Sequence, residues 1–255
     1  MKFTDQRALV TGGTKGIGKA TARRLARSGA HVILNYAASK TAAMETLKEF
    51  KSEGFSAELV RADVGNPDQI TTMLERILDE GPLDMLICNA AFTMKVPFLD
   101  TQYEQLHRTL EVNVLGNFHL IQTVARHMMA SHVAGRIVAC TSPHGTLIFP
   151  DAFAYDVSKA ALNHLIRCTA LPLIEHGIRV NGVDIGWTVT PGERRFTTEE
   201  EQYAVAREIV PIRRPAEADE IAAVIEFLCS DGSSYMVGSI LRADGGYCLS
   251  PSNQS

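Results

Sequence analysis

Apolar residues along this chain fall into short dense runs, separated by longer stretches where they recur every three or four positions. Arg7–Thr11, His31–Tyr36, Ala57–Arg61, Asp84–Cys88, Gly135–Cys140, Ile178–Val183 and Ser239–Arg242 are the short runs, rich in Val, Ile and Leu. Runs this brief, bounded by turn residues, predict strands buried on both faces. Between them, Ile17–Ser28, Lys40–Ser52, Pro67–Asp79, Tyr103–Ala130, Phe153–His176 and Glu217–Ser230 carry the helical period. Pro67 suits a first helical turn, and Gly177 suits the end of the helix before it. Strand and helix alternate along most of the chain. That rhythm predicts an α/β fold: a doubly wound parallel sheet in three layers, α/β/α. The stretch from Trp187 to Ile212 breaks the rhythm. It is polar, charged and weakly periodic, and reads either as a substrate lid or as an ordinary surface excursion.

Composition narrows the class. The chain has 255 residues, 45% of them hydrophobic, enough for one large core, so 1–255 reads as a single domain. A net charge of −4 points away from nucleic acid and from anionic membranes as partners. Five scattered cysteines without a C-x-x-C pair predict reduced thiols, with neither a disulfide framework nor a zinc site. No apolar run approaches the ~18 residues of a membrane span. The N-terminal residues run straight into a strand pattern, so no secretory leader is expected and the location predicted is cytoplasmic.

The first candidate for chemistry is the loop Thr11-Gly-Gly-Thr-Lys-Gly-Ile-Gly18, between the first strand and the first helix. Gly12 allows a tight turn, Gly16 allows backbone to approach a pyrophosphate, and Gly18 allows close packing of helix on strand. The helix N-terminus favours the anion. This context makes the fold Rossmann-type and predicts a dinucleotide held by Gly12, Thr14, Lys15, Gly16, Ile17 and Gly18. An acid at the end of the second strand would bind a ribose 2′-hydroxyl. No Asp or Glu occurs from His31 to Met44. Lys15 and Lys40, with Asn35, Tyr36 and Ser39, suit a 2′-phosphate instead, which favours NADP(H) and leaves NAD(H) possible.

The second candidate is Tyr155-Asp-Val-Ser-Lys159, which puts a tyrosine and a lysine on one helix face. A phenol of pKa about 10 is a poor acid or base at neutral pH. A neighbouring ammonium favours the phenolate and brings it into a useful range.

With these two features in place, the sequence resembles the short-chain dehydrogenase/reductase family over nearly its whole length. The glycine loop is similar to that family's T-G-x-x-x-G-x-G. Asp63-Val64 resembles its adenine-contacting pair, and Asn89-Ala90-Ala91 resembles its N-A-G with alanine for glycine. Asn113 falls at its helix asparagine, and Ser142 stands thirteen positions before Tyr155, the family's spacing. Ile178-Arg-Val-Asn181 and Ala243-Asp-Gly-Gly246 also fit. Ile185-Gly186 stands where Pro-Gly is usual. Gly186 and Thr190 keep their places, while Thr188 replaces an aliphatic residue.

The resemblance implies hydride transfer between a nicotinamide and a carbonyl or secondary alcohol. It implies that Ser142 orients the substrate oxygen and that Tyr155 gives or takes its proton. Lys159 would bind the ribose and lower the Tyr155 pKa, and Asn113 would support a water-linked relay. Asp63, Val64, Asn89, Ala90, Gly186, Thr188 and Thr190 join the cofactor contacts. His144, Trp187 and Thr93 are the substrate-side candidates, with Glu193, Arg194 and Arg195 beginning the polar excursion. Their mixed polar and aromatic character tilts the small-molecule substrate toward a sugar or polyol. A 3-oxoacyl thioester reductase is the enzymatic alternative, and a cofactor-sensing binding protein is the alternative of another class. The long helices around Val112 and Leu162 carry the apolar surface that, in this family, joins dimers and tetramers, so a homo-oligomer is expected.

Overall fold

The computed structural model describes residues 2–191 and 198–250. The seven expected strands are β1 (Arg7–Val10), β2 (His31–Tyr36), β3 (Ala57–Arg61), β4 (Met85–Cys88), β5 (Arg136–Thr141), β6 (Arg179–Ile185) and β9 (Ile240–Ala243). They form one parallel sheet in the order β3-β2-β1-β4-β5-β6-β9. Residues of β4, β5 and β6 are buried almost throughout, as a sheet covered on both faces requires.

The helices are α1 (Gly16–Arg27), α2 (Lys40–Ser52), α3 (Pro67–Asp79), α4 (Tyr103–Leu110), α5 (Gly116–Ala130), α6 (Phe153–Leu173), α7 (Glu199–Ile209) and α8 (Ala218–Cys229). Two apolar layers enclose the sheet. On one face Ile121, Val124, Leu162 and Ile166 pack against Leu86, Ile137 and Val180. On the other, Ala22, Leu25, Ile221 and Ile225 pack against Val10, Ile87, Val138 and Val183. Phe50 closes that second layer beside Leu34.

One expectation is corrected. The helix predicted as continuous from Tyr103 to Ala130 is interrupted by a π-type turn, Glu111–Leu115, which carries Asn113. A hydrophobic period cannot register one extra residue in a turn, so the pattern read through it. The 187–212 excursion carries regular elements among its described residues, 187–191 and 198–212. It holds a two-residue strand, β7 (Thr188–Val189), paired with β8 (Ala216–Glu217), and the helix α7. Thr198 and Glu201 form a reciprocal capping box that starts α7. Glu193, Arg194 and Arg195 lie outside the described residues.

Candidate active site

In a doubly wound sheet, ligands bind beyond the strand C-termini where the strand order reverses. Here that point lies between β1 and β4. Asn89 stitches it: its Nδ2 donates to Thr11 O at 2.9 Å and to Gly12 O at 3.3 Å. Thr11 Oγ1 accepts from the amides of Asn89 and Ala90 at 2.9 and 3.0 Å.

The glycine loop is built for close approach. Gly12 has φ +62°, a conformation that L side chains rarely adopt. A Cβ on Gly18 would lie 2.3 Å from Gly12 O and 2.6 Å from Asn89 Nδ2. Thr46 Oγ1 donates to Thr14 O at 3.0 Å, tying the loop to α2. Lys15 caps α1 without a side-chain hydrogen bond, and the first turn holds no acid. The first amides of α1 are therefore well placed to receive an anion, as a dinucleotide's pyrophosphate requires.

Asn35 serves the loop from within. It is 2% exposed; its Oδ1 accepts from Gly12 N at 3.3 Å and its Nδ2 donates to Ala62 O at 3.0 Å. Ser39 is occupied as the N-cap of α2, accepting from Ala42 N. Tyr36 ends β2, and Lys15 and Lys40 are both exposed. Just beyond β3, Asp63 Oδ1 accepts from Gly65 N at 2.8 Å and Oδ2 from Arg108 Nη2 at 2.6 Å. Val64 is buried, packed within the core layer that also holds Val112. Arg108 had no signal in the sequence, since its partner stands 45 positions away.

The cleft itself has a volume of about 360 Å³. Ile17, Asn89, Thr93, Ser142, His144, Tyr155, Lys159, Gly186, Trp187, Thr188 and Thr190 all line it. The structure thus brings the substrate-side and catalytic candidates to one place, save Asn113 beneath the wall. Ser142 directly follows β5, and Tyr155 and Lys159 stand one turn apart on α6. Lys159 is 3% exposed, its Nζ donates to Cys140 O at 2.8 Å, and it lies 5.3 Å from the Tyr155 ring centroid. Burial pushes the Lys159 ammonium down to about 8, because the charged form loses its hydration.

Asn113 is fully buried, and its side chain is committed. Its Oδ1 accepts from Phe92 N at 2.8 Å; its Nδ2 donates to Phe92 O and to Ser158 Oγ, both at 2.9 Å. Ser158 Oγ in turn donates to Tyr155 O at 2.8 Å. The side chain therefore braces the wall behind Tyr155. Its backbone carbonyl accepts from Asn117 Nδ2 at 2.8 Å.

Two polar atoms on cleft-lining residues, Thr141 Oγ1 and Trp187 Nε1, are buried without a hydrogen-bond partner among the described residues. Buried polar atoms are rarely left so unless a ligand or water completes them. Together with the uncapped α1, they fit a polar dinucleotide and a polar substrate. Phe149, Asp156 and Tyr247 escaped the sequence reading. Asp156 stood in plain sight inside YDVSK, but its contact with His144 depends on how the 143–152 loop folds back. Among the described residues no three His, Cys, Asp or Glu gather as a metal site would.

Comparison with known proteins agrees with this geometry. Residues 12–248 match the family model described as Enoyl-(Acyl carrier protein) reductase. The chain is 34% identical to glucose 1-dehydrogenase of Gluconobacter oxydans, over 97% of this chain and 94% of that protein. It is 33% identical to 3-oxoacyl-[acyl-carrier-protein] reductase of Synechocystis, over 97% and 98% respectively. Among solved structures, gluconate 5-dehydrogenase of Burkholderia cenocepacia, in complex with NADP and tartrate, superposes with a TM-score of 0.90 at 28% identity, covering 98% of each chain. The chain belongs to the short-chain dehydrogenase/reductase family.

Proposed function

We propose that this oxidoreductase moves a hydride between NADP(H), with NAD(H) as a weaker partner, and a secondary alcohol or ketone of a small polar molecule, a sugar or polyol. The observation that carries this reading is the cleft: Ser142, Tyr155 and Lys159 line it together, beside a glycine loop with an uncapped helix N-terminus. The amides of Gly16 and Ile17 would hold the pyrophosphate, and Lys15 and Lys40 a 2′-phosphate. The nicotinamide, when bound, supplies or accepts the hydride.

The chain's own residues do the rest. Ser142 Oγ donates a hydrogen bond to the substrate oxygen and fixes its place. Tyr155 Oη gives that oxygen a proton in reduction and removes one in oxidation. The Lys159 ammonium, close to the ring, stabilises the phenolate between these states. Asn113 keeps the Phe92 backbone and Ser158 in register behind the tyrosine.

The substrate class rests on the lining. A cleft of about 360 Å³ with His144, Lys95, Asp151, Trp187 and Tyr247 on its walls suits a compact polar molecule better than a long acyl chain. The glucose and gluconate dehydrogenase relatives support the same choice. We infer that the 187–212 segment acts as a lid, since Trp187, Thr188 and Thr190 line the cleft at its start. Exposed Leu115 and Phe118, before and on α5, support a homo-oligomer of two or four copies. Cytoplasmic residence is part of the same reading; no helix among the described residues is long and apolar enough to cross a membrane.

The test is a spectrophotometric screen of reduced-nicotinamide absorbance, with each cofactor against ketoses, polyols, simple ketones and 3-oxoacyl thioesters. Turnover of a sugar or polyol with NADP(H) is the expected result. Preference for a 3-oxoacyl thioester would replace the substrate class, and tight cofactor binding with no turnover would favour the sensor.

A further inference from the structure

His144 is held more rigidly than a loop histidine needs to be. Its Nδ1 lies 2.5 Å from Asp156 Oδ1, and the other carboxylate oxygen accepts from Phe149 N at 2.8 Å. One imidazole face stacks on Phe149, with ring centroids 3.8 Å apart and planes at 23°. Phe149 in turn faces Tyr247 at 6.4 Å. On another side the ring meets Tyr155 edge to face at 4.9 Å. Three contacts thus fix one ring in one orientation beside the proposed proton donor.

The chemistry of Asp156 then sets the tautomer. A carboxylate only accepts, so Nδ1 of the neutral imidazole carries the proton and Nε2 keeps a bare lone pair. Burial holds His144 below its ordinary pKa, although the Asp156 carboxylate and, more weakly, Asp151 oppose this; the nearby Lys159 charge acts with burial. The neutral ring is therefore the form present near pH 7. Nε2 has no hydrogen-bond partner among the described residues and is not among the enclosed polar atoms, and the residue lines the cleft. An oriented acceptor next to Tyr155 calls for a donor on the ligand, close to the reacting carbon.

We propose that His144, positioned by Asp156, accepts a hydrogen bond from a substrate hydroxyl on the carbon next to the reacting one, so that the enzyme selects vicinal diols and α-hydroxy ketones. This rests on the oxidoreductase reading above and narrows its substrate class. A hydroxyl satisfies the lone pair. A methyl ether at the same carbon does not, since it has no proton to donate, and a bare methyl leaves Nε2 unpaired in a partly desolvated site.

The test uses three matched alcohols with NADP⁺: propylene glycol, methoxypropanol and isopropanol. Each presents the same secondary alcohol, with a hydroxyl, a methoxy group or hydrogen on the adjacent carbon. In the wild type, kcat/KM for propylene glycol should exceed that for either other alcohol by about tenfold. His144→Phe keeps the stack on Phe149 but removes the acceptor, so the three values should draw together. Asp156→Asn supplies a donor to Nδ1 and moves the ring proton to Nε2. In that variant methoxypropanol should gain on propylene glycol, a change of preference that a loosened fold does not produce.

Equal handling of the three alcohols by the wild type would overturn the proposal, as would an unchanged preference in both variants. If none of the three reacts while other alcohols or ketones do, the hydroxyl rule fails and the oxidoreductase reading stands. If no alcohol or ketone reacts with either cofactor, both fall together.

Discussion

Replacing Lys159 with methionine should make the protein more stable and catalytically silent. The lysine is buried, and its folded-state pKa drops from 10.5 to about 8. At about 1.4 kcal/mol per pH unit, holding the charge in that site costs about 3 kcal/mol at neutral pH. Methionine fills a similar volume without the charge but gives up the bond from Nζ to Cys140 O, worth about 1 kcal/mol. The net expectation is a gain of about 2 kcal/mol at about pH 7. The sign of the pH dependence follows from linkage. Between about 8 and 10.5 the folded protein has released this proton and the unfolded chain still holds it, so wild-type stability rises with pH there. The variant lacks the group, and its advantage should shrink across that window and vanish near its upper end. Urea unfolding of both cofactor-free proteins at neutral and at high pH measures the difference directly. Other titrating groups are common to both chains and cancel. A gap that stays constant with pH, or a variant less stable at neutral pH, would refute the burial argument.

Two further variants probe the cofactor end. Gly18→Ala drives a Cβ to 2.3 Å from Gly12 O, a backbone atom that cannot swing away. A loss of about 1–3 kcal/mol in urea unfolding is expected, with weaker cofactor quenching of Trp187, the chain's single tryptophan. Lys15→Glu combined with Lys40→Glu should lower NADP(H) affinity by about tenfold relative to NAD(H), as read by titration, because the pair is expected to face the 2′-phosphate. An unchanged ratio would move that recognition elsewhere, with Arg61, whose Nε donates to Ala37 O at 3.2 Å, the next residue to vary.

The sequence carried the features that repeat. Seven apolar runs announced seven strands, and their alternation with helical stretches announced the doubly wound order. Gly12 was legible because its tight turn needs that residue type, while Asn89 and the role of Tyr155 were legible through the family resemblance. What stayed hidden depends on distant partners. The Arg108–Asp63 pair joins α4 to the end of β3, and no periodicity links them. Asn113 was visible as a position, yet its π-type turn and its commitment to Phe92 and Ser158 are tertiary facts. The helix α7 stayed hidden because its face is polar and charged, with Gln202 and Ala206 its two buried residues, so burial left little pattern to read. Asp156 carries no local signal, because its partners His144 and Phe149 are brought to it only by the fold of the 143–152 loop.

The central claim is that Tyr155 transfers the proton in this cleft. Tyr155→Phe keeps the ring that meets His144 and Lys159 and removes only the hydroxyl. Cofactor affinity, read by quenching of Trp187, should stay within about twofold, while kcat for the best polyol or ketose falls by about a thousandfold across the pH range. A phenylalanine variant that turns over at near the wild-type rate would contradict the account.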